Sequence, residues 1–366
     1  MEAGKRAVGI DLAKRTMEVR FMADGEKTRA WNCKTDTMGR KNLYAQLTRD
    51  DIVGIEACAL AFVIAREIKQ KTEADVWVLN PGKLAIIYKS TKKTDSEDAM
   101  KIARLLLRYP KEELPIVPIP SEREEKERAI VKELGFLKSQ RTDFINRLHT
   151  KFVAEGITTI VKSDLKTKVK RDASLDLLYG IHLAEAKRMI MVIDMLEVQI
   201  DQLEKEQNEA LRENELTPYV MSVPGVGPSL AMAFLAYVGD GSRFSRAAEV
   251  SNYVGIVPRV DQSGDTVRYG HITKAGCVPI RRVAIQAAWA LTRSADGGAL
   301  GKKYFELADR RGKKVAITAI GRKLVELLYT IVKNKCYYWQ MDVEKFNRKL
   351  KFYKLENFLE KEGSAA

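Results

Sequence analysis

Four acidic residues occupy positions from which their carboxylates could meet in the folded protein. Asp11 and Glu56 each end an apolar run, in the segments GIDLAK and GIEACA, while Asp95 and Asp98 open a helical stretch three residues apart. Side chains with that spacing share one face of a helix. Clustered carboxylates are costly to bury without a counter-charge, which hard divalent cations supply. The four residues therefore predict a site for Mg2+, or for Mn2+ in its place, where two ions could promote phosphodiester cleavage.

Each acidic residue also has an ordinary structural explanation. An aspartate after a strand often begins a helix, Asp95 could cap its own helix with Asp98 in the third position of a capping box, and Glu56 could be a surface residue. These explanations remain open for each residue taken alone. The occurrence of all four in the order that a sheet edge and a crossing helix require favours the metal site.

Ser263 is the second candidate for chemistry, in the segment PRVDQSGDTVRYGHITKAG. A serine hydroxyl becomes an effective nucleophile when its proton is removed or when the attacked phosphate is neutralised, and nearby cations supply the second condition. Arg259, Arg268, His271 and Lys274 lie in the same segment. Ser-Gly is also common in turns that have no catalytic role, so this segment alone is weak evidence.

A glycine-containing turn, SVPGVGPSLA, occupies residues 222–231 and precedes a predicted helix. Free backbone amides around Gly225 and Gly227, at the positive end of a helix dipole, would suit a phosphate, as in helix-hairpin-helix DNA-binding elements. A tight turn between two packed helices is the alternative. Arg281 and Arg282 begin a later helix and are further candidates for phosphate contacts.

The acidic residues require an α/β scaffold to position them. The apolar runs and helical spacing of residues 1–115 predict a domain with a mixed sheet, with strands at 6–12, 17–22, 51–56 and 75–80 and helices at 59–70 and 96–108. If the first and third of these strands are neighbours, Asp11 and Glu56 meet at one sheet edge. The proline-spaced segment PIVPIP at 115–120 is predicted to be a linker.

A long helical arm is predicted at residues 120–215. Its second half has apolar residues at coiled-coil spacing, namely Met189, Ile193, Leu196, Ile200 and Leu203. This seam is typical of a dimerising coiled coil and equally of an intramolecular helical bundle, and both interpretations are open. Residues 216–345 are predicted to form a mostly helical domain, and residues 346–366 a basic helical tail.

Composition restricts the class of protein and of partner. The chain has 366 residues and a net charge of +14, divided as +5 over residues 1–120, −2 over 121–220 and +11 over 221–366. A basic region attracts polyanions, so nucleic acid or an acidic membrane surface is the expected partner. Neither a membrane-spanning run nor a secretion signal is present, which predicts a cytoplasmic protein. Four scattered cysteines and three distant histidines argue against disulfide frameworks and zinc sites.

The arrangement of acidic residues on strands and a helix resembles the ribonuclease H and Holliday-junction resolvase (RuvC-like) superfamily. The whole chain resembles the DEDD-type insertion-sequence transposases, described as bridge-RNA-guided recombinases and related to the pilin-gene-inverting recombinase. The segments that carry this resemblance are GIDLAKRT, GIEACALAFVIAREI, NPGKLAIIYKSTKKTDSEDAMKIA, SVPGVGPSLAMAFLAYVGD, FSRAAEVSNYVGIVPRVDQSG and YGHITKAGCVPIRR.

The resemblance implies an N-terminal RuvC-like domain whose acidic tetrad, Asp11, Glu56, Asp95 and Asp98, binds Mg2+. It implies that Ser263, in a C-terminal transposase domain, attacks DNA to form a covalent phosphoserine. The tetrad of one subunit is expected to act with the serine of another, in a homo-oligomer, a dimer or tetramer, joined through the coiled coils. A structured bridge RNA is expected to select donor and target DNA by base pairing. This prokaryotic enzyme would have no membrane partner.

Three other functions compete with this expectation. A metal-dependent junction resolvase or nuclease would activate water and use Ser263 only as a turn residue. A sugar-kinase-like or actin-like ATPase shares the strand-aspartate opening VGIDLAK, but Lys14 and Arg15 stand where a phosphate-binding glycine loop would follow. A non-enzymatic nucleic-acid scaffold would carry its acidic residues as surface charges.

Overall fold

The computed structural model describes residues 5–23, 28–87, 95–263, 266–294 and 297–359, without the side chains of residues 85–87, 95 and 96. The chain divides into two compact units, Met1–Ser121 and Glu122–Ala366. The division falls close to residue 115, where the sequence predicts the end of the α/β domain.

The first unit is an α/β unit in which helices pack on a six-stranded sheet. Its strands are β1 (Arg6–Leu12), β2 (Thr16–Met22), β3 (Arg29–Lys34), β4 (Asp51–Glu56), β5 (Asp75–Leu79) and β6 (Ile116–Val117), and its helices are α1 (Thr37–Tyr44), α2 (Ala59–Lys71), α3 (Pro81–Ile87) and α4 (Asp95–Arg108).

The sheet is mixed and has the order β3-β2-β1-β4-β5-β6. β1, β4 and β5 are parallel, whereas β2, β3 and β6 pair antiparallel with their neighbours. One face carries Val8, Ile10 and Val53 in a core with α2, and the other carries Ala7 and Ile52 in a core with α4. Successive residues of β1 belong to the two cores in turn because neighbouring side chains of a strand point to opposite faces.

The predicted strands and the α/β class are confirmed, and the RuvC-like assignment within that class stays a prediction. The predicted linker at 115–120 is wrong for Ile116 and Val117, which form β6 against Leu79 and Val78 of β5. Prolines on both sides exclude a long strand but leave room for a short one at the edge of a sheet, where Pro is tolerated.

The second unit is helical apart from one β-ribbon. Its elements are α5 (Glu122–Ala154), α6 (Lys168–Ser174), α7 (Gly180–Arg212), α8 (Thr217–Met221), α9 (Pro228–Val238), α10 (Ala247–Val254), β7 (Pro258–Ser263), β8 (Thr266–Ile272), α11 (Val278–Arg293), α12 (Gly298–Arg311), α13 (Lys313–Asn334) and α14 (Val343–Phe352).

The predicted arm, C-terminal domain and tail form one compact unit in the structure. α5 and α7 pack side by side, and their seam residues Met189, Ile193 and Ile200 are buried within this single chain. The N-terminal half of α5, through Ile130, and the C-terminal half of α7, through Ile200, pack with α9, α11 and α13 in one apolar core. This shared core removes the boundary expected near residue 216. The predicted basic tail is helical in α14, and its last residues, 360–366, lie outside the described part of the chain.

Among the described helices, none has the length and apolar character needed to cross a membrane.

Candidate active site

Asp11 and Glu56 are neighbours at the edge where β1 and β4 end. The two strands pair in parallel through the residues that immediately precede the carboxylates, so Asp11 and Glu56 follow on backbones that are about 4.8 Å apart. Both residues are partly exposed. They lie on the same face as Gly9 and Gly54, two positions earlier in each strand, because alternate residues of a strand point to one side.

The two glycines allow α4 to approach that face closely. A Cβ atom on Gly9 would come within 2.0 Å of the carbonyl oxygen of Ala99, and one on Gly54 within 2.7 Å of Cγ2 of Ile102. A side chain at either position would push the helix off the sheet. Since Ala99 directly follows Asp98, the contact at Gly9 seats the beginning of α4 beside the acidic edge.

α4 runs antiparallel to the strands beneath it. Nζ of Lys111, shortly after the helix, lies 3.7 Å from Oδ2 of Asp75, the first residue of β5. The helix therefore ends near the N-terminal ends of the parallel strands. Its first turn, which holds Asp95 and Asp98, therefore lies at the edge of Asp11 and Glu56. The positive end of the helix dipole favours carboxylates at this place.

Asp98 already has a cationic partner. Its Oδ1 accepts a hydrogen bond of 2.5 Å from Nζ of Lys101, one turn later in α4. The side chain of Asp95 lies outside the described residues. Among the side chains that the structure describes, no group of three or more His, Cys, Asp or Glu residues has an arrangement that could hold a metal ion. The oxygen donors of Asp11, Glu56 and Asp98 nevertheless fit the chemistry of Mg2+.

Ser263 ends the first strand of the β-ribbon in the second unit. β7 and β8 are antiparallel, with Ser263 opposite Thr266 and Asp261 opposite Arg268. All four residues are exposed, as are both strands along most of their length. A large substrate can therefore reach the hydroxyl of Ser263 without rearrangement of a core.

The base of the ribbon is fixed to α10 and α11. Lys274 adopts a left-handed backbone with φ 55°, and its N–H donates to the carbonyl of Gly255 at 3.1 Å. Arg281 is partly buried, and its Nη1 donates to the carbonyl of Val254 at 2.6 Å. In the structure Arg281 therefore closes the C-terminal end of α10. Lys274 stays exposed.

The glycine turn before α9 is held by packing. Gly225 has φ 78°, and a Cβ there would lie 2.7 Å from Cβ of Leu291 in α11. Gly227 is the residue before the first turn of α9. The buried amine of Lys349 donates to the carbonyl of Val223 at 3.0 Å, and burial lowers the pKa of this amine to about 7. The structure thus accounts for Gly225 by its close contact with α11.

The remaining predicted nucleic-acid residues differ in their surroundings. Arg282 is exposed and donates to the carbonyl of Gly135 at 2.6 Å, which links α11 to α5. Arg259 and Arg268 are exposed on the ribbon. The structure therefore gives Arg281 and Arg282 contacts within the protein, while the ribbon arginines face solvent.

Sequence reasoning missed three residues that shape the acidic edge. Gly9 and Gly54 set the distance of α4 from the sheet, and Lys101 pairs with Asp98. A signal was present, because both strands contain glycine and isoleucine directly before the acidic residue. Such a repeated glycine on one face marks a close approach of another backbone.

Comparison with known proteins assigns both units to one family. The DEDD transposase family of IS110 type matches residues 8–154, which include all four acidic residues. The family described as "Transposase IS116/IS110/IS902 family" matches residues 217–305, which include Ser263. The chain belongs to the IS110 family of transposases. It is thus an enzyme of DNA transposition and recombination.

Relatives of this transposase match it over different lengths. A "Probable family 20 transposase" of Pseudomonas aeruginosa is 24% identical over 90% of this chain and 98% of that protein. A "Pilin gene-inverting protein" of Moraxella bovis is 26% identical over 90% of this chain and 96% of that protein. The "Insertion element IS110 uncharacterized 43.6 kDa protein" of Streptomyces coelicolor is 29% identical, but the match spans 37% of this chain and only 33% of that protein.

Proposed function

We propose that this IS110-family transposase cuts and rejoins donor and target DNA through a covalent phosphoserine at Ser263, with Mg2+ or Mn2+ bound by Asp11, Glu56, Asp95 and Asp98. The observation that carries the proposal is the seating of the first turn of α4 on two glycines, beside the carboxyl ends of β1 and β4. This packing supports the proposal because it brings the turn that holds Asp98 to the strand ends that carry Asp11 and Glu56.

The acidic edge would act on the phosphodiester through its bound ions. When bound, Mg2+ would supply the positive charge that stabilises a phosphodiester during cleavage. Asp11 and Glu56 would hold it from the sheet, and Asp95 and Asp98 from the helix. Lys101 and a bound ion would compete for Oδ1 of Asp98. Lys101 would therefore release the carboxylate when Asp98 becomes a ligand.

Ser263 would supply the nucleophile for strand exchange. Its hydroxyl loses a proton to water, a bond forms between Oγ and phosphorus, and the bond from phosphorus to the leaving sugar oxygen breaks. The leaving oxygen takes up a proton. The reverse reaction with a second DNA end releases the serine and restores a phosphodiester, so cutting and joining need no external energy source.

A structured bridge RNA is the proposed source of sequence specificity. The surplus of positive charge, +11 over residues 221–366, supports binding of polyanions by the second unit. Base pairing between the RNA and both DNA partners would choose the sites. RNA that copurifies with the protein should be transcribed from DNA beside its gene and should pair with the element end and the target. An RNA-free preparation that joins the same DNA with equal site preference would exclude this role.

A homo-oligomer, a dimer or tetramer, is the proposed assembly. The apolar seam of α7 is buried against α5 and is not available to a second chain. Met191, Met195 and Val198 form a second apolar stripe on α7, and their side chains are 61 to 72% exposed. These positions are spaced by three and four residues, so they share one face of the helix. Light scattering should show that Met195→Lys lowers the mass of the full-length protein in solution, whereas an unchanged mass would remove α7 from the interface.

The nucleophile is tested by trapping protein-DNA adducts. Full-length protein is mixed with its RNA and a plasmid that carries the DNA flanking its gene, and the reaction is stopped with detergent. We expect Ser263→Ala to abolish the covalent adduct while DNA binding survives, and Thr266→Ala, which removes the opposite hydroxyl, to retain it. Nicked DNA with free ends and no adduct in the wild type would instead indicate a resolvase that activates water.

The metal site is tested by titration of Mg2+ in solution. Asp11→Asn and Asp98→Asn should each weaken Mg2+ binding and abolish DNA joining, whereas Glu97→Gln removes a neighbouring charge from α4 and should change neither. If both aspartate variants bind Mg2+ and join DNA as the wild type does, the acidic edge is not the catalytic site.

A further inference from the structure

The β-ribbon has two chemically different faces. Residues that are paired across an antiparallel ladder, and residues two apart along a strand, lie on the same side. The register therefore places Ser263, Thr266, Asp261 and Arg268 on one face. The opposite face carries Val260, Val267 and Tyr269, all of which are exposed. The proposed nucleophile thus belongs to the charged face.

Two arginines lie on the charged face at different distances from the serine. Arg268 lies opposite Asp261, two residue pairs along the ladder from Ser263, which is roughly 7 Å along the strands. Arg259 lies farther from the ribbon tip, beside Gly270, whose Cβ would be 3.6 Å from Cβ of Arg259. Arg259 is four residues from Ser263 along β7, roughly 13 Å. An extended arginine side chain spans the first distance and falls well short of the second.

The guanidinium group of Arg268 has no partner among the residues that the structure describes. Asp261 is directly opposite in the ladder, yet no ion pair within 4.0 Å joins the two side chains. In contrast, Arg281 and Arg282 of the same unit are bound to backbone carbonyls. An exposed guanidinium that is unpartnered among the described residues is suited to an anion from outside the protein, and its planar shape fits two oxygens of a phosphate.

We propose that Arg268 binds the two non-bridging oxygens of the phosphate that Ser263 attacks. This inference rests on the proposed nucleophile and adds the group that holds its target. As the bond from Oγ to phosphorus forms and the bond to the leaving oxygen breaks, the guanidinium donates hydrogen bonds to the non-bridging oxygens. It transfers no proton, because arginine stays charged throughout. Such a donor acts most strongly on the charge of the transition state.

The test compares two arginines on one face. With DNA at saturating concentration, Arg268→Ala should slow formation of the Ser263 adduct by about 10²- to 10³-fold. Arg259→Ala removes the same charge farther away, so it should weaken DNA binding but slow the adduct at saturation far less than Arg268→Ala does. Both residues are exposed, so neither variant should alter thermal unfolding. Arg268→Lys should retain part of the rate, and guanidinium ion added to Arg268→Ala should restore part of it.

The outcomes separate this inference from the proposed function. A wild-type adduct that requires Ser263 but forms equally fast in Arg268→Ala overturns the role of Arg268 alone. Equal losses in Arg268→Ala and Arg259→Ala, without rescue by guanidinium, also overturn it, because they indicate general attraction of DNA. If the wild type gives no serine-dependent adduct, the proposed nucleophile itself is wrong.

Discussion

The acidic edge of the sheet and the serine ribbon are supported in opposite ways. Beneath the acidic edge, strands β1 and β4 are buried on both faces, and α4 touches them where Gly9 and Gly54 leave no room for a side chain. The ribbon of β7 and β8 is exposed along both strands, and the hydrogen bonds described between it and the rest of the unit lie at its base. One site depends on a core, and the other depends on a two-stranded ladder.

This difference corresponds to what each site would do under the proposed function. A metal site requires oxygen donors at fixed distances, which a packed core provides. A nucleophile that must meet a DNA backbone gains from an element that can adjust, and an isolated two-stranded ribbon is only marginally stable in water. Elements of low local stability open independently of the global fold. We therefore expect changes at the first site to affect stability and activity together, and changes at the second to affect activity alone.

The largest expected effect is that of Gly9→Val. Its Cβ would lie 2.0 Å from the carbonyl oxygen of Ala99, so α4 must move away from the sheet. Chemical denaturation should show a loss of about 3 kcal/mol or more in the free energy of unfolding. DNA joining should be lost with it, although no proposed metal ligand is changed.

Gly82→Ala in α3 is the matched control in the same unit. A Cβ there would lie 3.4 Å from Oδ1 of Asn80, an ordinary contact at an exposed position. Stability should stay the same or rise slightly, because alanine favours helix over glycine. Full activity of a stable Gly9→Val variant would show that the position of α4 is not critical for the site.

Val267→Pro is expected to reduce activity without reducing stability, unlike Gly9→Val, which reduces both. Proline fixes φ near −65°, far from the roughly −140° of a regular antiparallel strand, and Val267 lies opposite Gln262, between the levels of Ser263 and Arg268. Adduct formation should fall by at least the factor of about 10² that loss of one transition-state donor costs. The midpoint of thermal unfolding should stay unchanged, because no core residue is touched. Val267→Thr keeps strand preference and should behave as the wild type; a lowered midpoint in Val267→Pro would show that the ribbon is part of the core.

The sequence predicted the acidic edge because its signals are local. Apolar runs that end in Asp11 and Glu56 identify two buried strands, and the spacing of Asp95 and Asp98 identifies one helix face. The neighbouring order of β1 and β4 was only a condition of that prediction, and the parallel pairing of the two strands meets it. The short strand β6 was missed because prolines surround it, and its pairing with β5 depends on a residue pair 37 positions apart in the chain, Ile116 and Leu79.

Contacts between distant residues explain what the sequence did not show. The spacing of Met189 and Ile193 fits packing within a chain and between chains equally well, and the structure shows that the seam packs on α5 of the same chain. The phosphate role predicted for Gly225 competed with a packing role, and only the position of Leu291, 66 residues later, reveals the packing contact. Which residues share a face of the ribbon likewise depends on how its two strands are paired. The sequence of the connecting loop did not establish that pairing.

The smallest expected effect concerns the cation that pairs with Asp98. Lys101→Gln removes the competitor for Oδ1 of Asp98 and should raise the affinity for Mg2+ by a few-fold, since a partly exposed ion pair contributes about 0.2–1 kcal/mol. Arg104→Gln removes the same charge from an exposed position of α4. It controls for the effect that losing one positive charge anywhere on the helix has on Mg2+ affinity. Calorimetric titration with Mg2+ should give a larger increase for Lys101→Gln than for Arg104→Gln. Equal or reduced affinity would show that Asp98 serves the ion pair rather than the metal, and the helix would then contribute less to the acidic edge than the strands do.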